Sequence, residues 1–438
     1  MSITDIEKEY KEATEFLFSQ LPMFSRVGAP AYKPGLETSL NLDKYFSHPH
    51  KRFKSIHIGG TNGKGSTSHM LASILQKEGY KTALYTSPHL VDFRERMKIN
   101  GEMIPKEKVI EFVKEWKRSN YEGKPSFFEL TMMMAFDWFA KENVDFAVIE
   151  VGMGGRLDST NIITPLLSII TNISHDHNQF LGDTLEQIAA EKAGIIKPGV
   201  PVLIGEKQKE TSEVFIYKAN REGTTLSFAE EIADTIIYPD KKSAGWLIKY
   251  KGYEIKSPLG GEYQKKNITT VLGAVKLLQE IIPLSEESVK KGIEDVIKTT
   301  GLKGRWSIIS TNPLTIADTG HNIGGLAYNF SQLSQLMEER PGATLRIIIG
   351  FVADKAIDKI LNLLPEKAVY YVTKAQIPRA FPAEKLYEKF EKQGLESRCF
   401  SDVKNAYETA IKEATDKDII YIGGSTFIVA DLFEYLKI

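Results

Sequence analysis

A chain of 438 residues with 56 Lys and Arg against 57 Asp and Glu carries a net charge of −1 and has no basic excess with which to hold nucleic acid. Its one cysteine, Cys399, excludes an internal disulfide and a cysteine metal cluster, and reads as a buried or bystander thiol. No stretch approaches the ~18 apolar residues of a membrane span, and Met1 to Ser19 mixes charges with its apolar residues, so the expectation is a soluble, cytoplasmic protein of two or three domains acting on small molecules.

Met1 to Ser19 has apolar residues at helical spacing, followed by a loop punctuated by Pro and Gly from Gly28 to Gly35. Leu36 to Phe46 is a short segment whose Leu36, Leu40, Tyr45 and Phe46 are expected to pack beside the first strand. That strand begins at Ile56 and runs into Gly59-Gly60-Thr61-Asn62-Gly63-Lys64-Gly65-Ser66-Thr67. Glycines let backbone N–H groups close on phosphate oxygens, a helix N-terminus adds its positive end, Lys64 neutralises charge, and a Ser or Thr hydroxyl is a Mg²⁺ ligand. The usual phosphate loop has Ser or Thr directly after the lysine, whereas Gly65 intervenes here. Met70, Leu71, Ile74 and Leu75 then recur at helical spacing, and Lys81 to Tyr85 forms the next strand, which gives the loop its strand, helix, strand context.

Thr86-Ser87-Pro88-His89-Leu90 puts Ser87 at a strand's carboxyl end, where open α/β sheets place ligands. Helices are predicted over Lys106 to Arg118 and Phe127 to Glu142, then an apolar strand, Val144 to Val151, that ends in Glu150. A carboxylate there, opposite a phosphate loop, suits a metal-directing acid. Gly152 to Gly155 also has the look of a dinucleotide fingerprint, but Arg156-Leu157-Asp158 follows in place of an apolar helix start. A strand from Leu166 to Asn172 leads to His175-Asp176-His177, where metal ligation and a hydrogen bond within a loop are both open readings. Thr184 to Gly194 is a helix with Lys192 near its end, and Pro201 to Ile204 a strand. These alternations predict a mostly parallel sheet, and Thr225 to Ser257 a small antiparallel subsheet.

Lys265 to Ile282 is a helix with Asn267 in its first turn, and Ser285 to Lys298 another. Thr299 to Gly304 is the best domain boundary, dividing residues 1–300 from a smaller Rossmann-like α/β domain at 301–438. In the latter, strands are predicted at Leu314 to Ala317, Leu345 to Gly350, Ala368 to Thr373 and Ile419 to Ile422. Helices are predicted at Gly325 to Arg340, Ala356 to Leu364, Ala383 to Gln393 and Val403 to Ala414.

Gly60 to Ser66, Thr86 to Leu90, Val151 to Asp158, Asp176-His177 with Glu191 to Gly194, Gly304-Arg305 and Asp318-Thr319-Gly320-His321-Asn322 together resemble the folylpolyglutamate synthase and dihydrofolate synthase family of the Mur ligase superfamily, in order along nearly the whole chain. The Thr-Ser-Pro-His-Leu element points to folates rather than cell-wall precursors. The departures are small: Thr319-Gly320 stands where the family often has Gly-Ala, and His175 where an apolar residue is commoner. The resemblance implies an ATP-binding, Mur-ligase-like first domain and a ligase that phosphorylates a folate or pteroate carboxylate with ATP and Mg²⁺. L-glutamate would then take the acyl group. Substrates would be dihydropteroate or a reduced folate, and the protein a monomer.

By that resemblance Ser87, Glu150 and His177 are Mg²⁺ ligands, with His175 structural. Gly60 to Thr67 and Asn267, Arg305, Asp318 and His321 bind ATP, and Lys64, His177 and Lys192 are catalytic. Lys192, fifteen residues after His177, would be carbamylated by CO₂ and ligate a second Mg²⁺. Read from the residues alone, Lys192 merely complements a helix C-terminus. The competing functions are a phosphotransferase using the same loop, a Mur-type ligase of a non-folate acid, and a nucleotide-binding module without catalysis.

Overall fold

The structure, a computed structural model, describes residues 3–21, 35–240, 243–353, 355 and 357–438. The expected loop from Gly28 lies, but for Gly35, outside the described residues, as does Ala356 at the start of a predicted helix. Among the described residues no helix is long and apolar enough to cross a membrane. The chain divides into two compact units, one of residues 1–258 and 265–302, the other of 259–264 and 303–438.

The first unit holds strands β1 (Lys54–Gly59), β2 (Thr82–Tyr85), β3 (Met97–Ile99), β4 (Glu102–Met103), β5 (Phe146–Glu150), β6 (Leu167–Ile170), β7 (Val202–Ile204) and β8 (Leu226–Phe228) in one sheet, ordered β4-β3-β2-β5-β1-β6-β7-β8. From β2 to β8 the pairings are parallel, and β3 and β4 add an antiparallel edge. That edge was missed from sequence, although Asn100-Gly101 between its strands has positive φ at both residues, the signature of a tight hairpin. Parallel strands covered on both faces are apolar throughout, and β1, β2, β5 and β6 are buried almost without interruption.

One face is covered by the helix Phe127–Lys141, started by a capping box of Ser126 and Glu129. Its Leu130, Met133, Phe136 and Phe139 enter the main core, each burial worth about 1.5–3 kcal/mol. A second cluster gathers Ile170, Ile188, Ile195 and Phe215. Strands β9 (Thr235–Pro239), β10 (Trp246–Tyr250) and β11 (Tyr253–Ser257) form a separate antiparallel sheet. The predicted subsheet from Thr225 is thereby corrected: Leu226–Phe228 extends the large sheet beside β7, because its backbone pairs in parallel with Val202–Ile204.

The second unit has a six-stranded sheet of β12 (Ser307–Thr311), β13 (Leu314–Ala317), β14 (Leu345–Ile349), β15 (Val369–Val372), β16 (Ser397–Cys399) and β17 (Ile419–Gly423), ordered β12-β13-β17-β14-β15-β16. All pairings but β12 with β13 are parallel. Its own core is built on Ile347, Ile349, Tyr370, Leu386, Phe390 and Tyr421. Cys399 is exposed at the end of edge strand β16.

Candidate active site

β1 lies at the middle of its sheet, and the chain leaves its carboxyl end through the glycine loop into the helix Lys64–Lys77. Gly63, at φ 85°, is the N-cap of that helix and has no side chain with which to cap it, so the loop meets the helix N-terminus through backbone alone. This is the arrangement that receives anions. Ser66 and Thr67 are buried in the first turn, and Thr67 Oγ1 has no hydrogen-bond partner. The loop is tied down from β6: Thr171 N donates to Gly59 O at 3.0 Å, Thr171 Oγ1 to Asn62 O at 2.6 Å, and Thr61 N to Asn172 O at 2.8 Å. Gly60 is required at φ +129°, since a Cβ there would lie 2.9 Å from Thr171 N.

Lys64 Nζ donates to Gly60 O at 3.1 Å and Thr61 O at 3.0 Å. Lys192 Nζ donates to the same Gly60 O at 2.9 Å. Two amines therefore converge on one carbonyl, and Lys192 is fully buried. Burial first, and the Lys64 charge second, pull the Lys192 amine down to about 7, against the opposing pull of Asp176 and Asp158. A buried lysine whose amine is pulled this far toward its neutral form is the chemically distinctive group of this site.

The placement of Lys192 follows from local sequence. Thr184 and Gln187 form a capping box that starts the helix Leu185–Lys192. Gly155 lets the turn after β5 approach it: a Cβ at Gly155 would sit 2.9 Å from both Glu191 O and Lys192 O. Arg156 fastens the contact, its N donating to Glu191 O at 2.8 Å and its Nη2 to Glu191 Oε1 at 2.8 Å. Gly152 to Arg156 is thus a close-packing run, and a dinucleotide site is not needed to explain it. Asp158, unremarked in the sequence beyond its motif, accepts from Met153 N at 2.9 Å and Thr160 Oγ1 at 2.5 Å, and Thr160 Oγ1 meets His57 Nε2 on β1 at 2.9 Å. Burial holds the His57 imidazole neutral, at about 3.

Glu150 ends β5 and is 3% exposed. Because β2 pairs in parallel with β5, Ser87 arrives beside it, and Ser87 N donates to Glu150 Oε2 at 2.9 Å. His177 sits in left-handed backbone at φ 53°, beginning the short helix Asn178–Leu181, and its N donates to Asp176 Oδ1 at 2.9 Å. His175 is hydrogen-bonded with Asn178 at 3.3 Å on the exposed side. Among the described residues no three His, Cys, Asp or Glu side chains are grouped to hold a metal. An all-protein cage is therefore absent from them, and the donor types at this strand end, the Ser87 hydroxyl and the Glu150 carboxylate, fit a hard cation whose remaining ligands would be phosphate oxygens and water.

Asn267 lies against the loop, where a Cβ on Gly63 would collide with its side-chain oxygen. In the second unit β13 ends in the predicted turn. Asp318 accepts from Tyr263 Oη at 2.5 Å, Trp306 N at 2.7 Å, Gly320 N at 2.7 Å and Asn329 Nδ2 at 2.8 Å, so its carboxylate organises the turn from within. Arg305 is hydrogen-bonded to Thr319, whose Oγ1 donates to Gly304 O at 2.9 Å. His321 Nδ1 lies 3.0 Å from Thr319 O, an acceptor only, so Nδ1 carries the proton. Asn322 caps the following helix.

Two family models match in order: the Mur ligase middle domain over residues 58–275 and the Mur ligase glutamate ligase domain over residues 304–426. With the loop, its lysines and the second parallel-sheet unit, they define an ATP-dependent ligase of the Mur type. The chain is 31% identical over 423 residues to the dihydrofolate synthase/folylpolyglutamate synthase of Bacillus subtilis, covering 92% of this chain and 95% of that protein. It therefore belongs to the dihydrofolate synthase/folylpolyglutamate synthase family. Among solved structures it is similar to Escherichia coli FolC in complex with DHPP and ADP, at 27% identity and TM-score 0.83, covering 98% of this chain and 97% of that one. The bifunctional Yersinia pestis enzyme complexed with AMPPNP and Mn ion gives 27% identity and TM-score 0.81, covering 98% of each chain.

Proposed function

We propose that this protein joins L-glutamate to the carboxylate of a pteroate or folate at the expense of ATP. The observation that carries the reading is the convergence of Lys64 and the buried Lys192 on the Gly60 carbonyl of the loop. A substrate carboxylate oxygen attacks the γ-phosphorus, ADP leaves, and an acyl phosphate remains. The neutral amine of glutamate then attacks the acyl carbon, phosphate leaves, and the amide nitrogen gives up its extra proton. The carboxylate and ATP are both anionic, so the first step needs fixed positive charge, which Lys64 and the loop amides supply. Ser87, Glu150 and His177 would hold Mg²⁺, whose charge would further offset that of the transferred phosphoryl group. Asn267, Arg305 and His321 are proposed nucleotide contacts, with Asp318 shaping the turn that presents His321.

Lys192 deepens the proposal. Carbamylation needs a neutral amine: nitrogen bonds to the carbon of CO₂, one proton leaves, and a cation becomes an anion with two oxygen donors. An amine near 7 has that neutral fraction available, and the carbamate would suit a second Mg²⁺. A cytoplasmic, monomeric enzyme is part of the same reading.

ADP release should be measured with dihydropteroate and with tetrahydrofolate, each with and without L-glutamate. Glutamate-dependent release with either pterin is expected. Release that ignores glutamate and leaves a stable phosphorylated acid would make the protein a phosphotransferase, and nucleotide binding with no turnover would make it a binding module.

A further inference from the structure

Outside the loop itself, a polar chain crosses the first unit from the phosphate loop to the helix that carries Asn267. Asn62 N donates to Asn172 Oδ1 at 2.9 Å, Asn172 Nδ2 donates to Glu206 Oε1 at 2.8 Å, and Lys266 is ion-paired to Glu206 Oε2. Glu206 follows β7 and Lys266 precedes Asn267 in the helix Gln264–Leu278. The Glu206 side chain is 13% exposed. Gly205 brings these elements together, since a Cβ there would lie 2.5 Å from Thr270 Oγ1 of that helix.

The direction of each hydrogen bond is forced. An ionised carboxylate only accepts, so Asn172 must turn its NH₂ to Glu206, and its carbonyl oxygen must then face the Asn62 N–H. Lys266 pairs with the second oxygen of that carboxylate. Were the Asn172 amide reversed, its NH₂ would confront the Asn62 N–H, donor against donor, and the loop would lose that anchor. The side-chain amide of Asn172 is thus a two-way switch held in one setting by a charge.

We infer that Glu206, with Lys266, is a positioning residue for the nucleotide site: its charge sets the Asn172 amide that holds the phosphate loop at Asn62, and ties that loop to the Asn267 helix. The inference rests on the loop binding ATP, and not on the identity of the acid that is ligated. Residues one step behind a binding group commonly change affinity or activity ten- to a hundredfold when replaced. Glu206→Gln preserves volume and an acceptor, yet a neutral amide also donates and so permits the reversed setting.

The experiment is MgATP binding to the full chain by titration calorimetry, alongside KM for ATP and kcat, for Glu206→Gln, Glu206→Asp, Lys266→Met, Asn172→Ala and the double variant Asn172→Ala/Glu206→Gln. Expected are an affinity about tenfold weaker for Glu206→Gln and a smaller loss for Lys266→Met. Glu206→Asp should recover part of the affinity, the KM effect should exceed the kcat effect, and the double variant should be no worse than Asn172→Ala alone. Wild-type affinity in Glu206→Gln, or losses that simply add in the double variant, would overturn the inference. The Lys266 side chain is 42% exposed, against 13% for Glu206, so its variant tests the charge even if a Glu206 variant fails to fold. Because binding is the readout, a wild-type protein that turns over no folate would sink the proposed substrate and leave this test standing.

Discussion

Lys64 and Lys192 share an acceptor but not a role. Lys64 is a charge on a loop, and its removal should leave the fold intact while lowering kcat by about 10²-fold, the scale of losing one preorganised electrostatic contact. Steady-state rates and a circular dichroism spectrum of Lys64→Ala decide this, and near-normal turnover would remove the loop from its assigned role. Lys192 is buried, and its amine is lower in the folded chain, about 7, than in the unfolded one. Between those values the unfolded chain holds more protons, so the contribution of Lys192 to stability rises with pH from about 7 toward 10.5. Lys192→Met escapes this dependence: it should be inactive yet at least as stable as wild type near pH 7, with the wild type gaining on it as pH rises. The same deprotonation predicts wild-type activity that increases with added bicarbonate, more at pH 8 than at pH 6. A bicarbonate-independent rate would return Lys192 to a purely structural part.

At the scale of the element, the approach of the helix Leu185–Lys192 to the turn after β5 has no slack. Gly155→Ala places a methyl 2.9 to 3.0 Å from backbone atoms of Glu191 and Lys192, which must move the helix or strain the turn at a cost of about 1–3 kcal/mol. Chemical denaturation should report that loss, and kcat should fall with it because Lys192 rides on the helix; an active, fully stable variant would show that the turn relaxes freely. The glycines and the strand-loop-helix unit were legible in the sequence because they are local patterns. What the glycines accommodate was not, since Gly60 and Lys192 are separated by 132 positions and no periodicity reports a long-range contact. For the same reason Lys192 was singled out only through resemblance, and Asn172, Glu206 and Lys266 drew no notice. Short edge strands such as Ser307–Thr311 and Ser397–Cys399 were missed because they are half exposed and carry no apolar run. The helix Thr426–Leu436 also went unpredicted, although its buried Ile428, Val429, Leu432 and Phe433 recur at helical spacing.

At the scale of the whole molecule, each unit has its own hydrophobic core, and the second takes in residues 259–264 from before the last helices of the first. Tyr263 fastens that borrowed segment by its bond to Asp318. Tyr263→Phe removes a hydrogen bond to a buried carboxylate, worth about 1.5–3 kcal/mol, and should lower one of two calorimetric unfolding transitions while sparing the other. A single transition, or an equal shift of both, would mean that the units do not melt as separate bodies.

Cys399 has a practical consequence. It is the one thiol in the chain and stands exposed on an edge strand of the second unit. Its ionisation is pushed up mainly by partial burial, so alkylation will go best in mildly alkaline buffer. A maleimide dye therefore marks the second unit at a single position without any cysteine having to be engineered out. Paired with a fluorescent ATP analogue at the glycine loop proposed to bind it, that dye makes energy transfer a ruler between the two units, readable during turnover and free of any assumption about their arrangement.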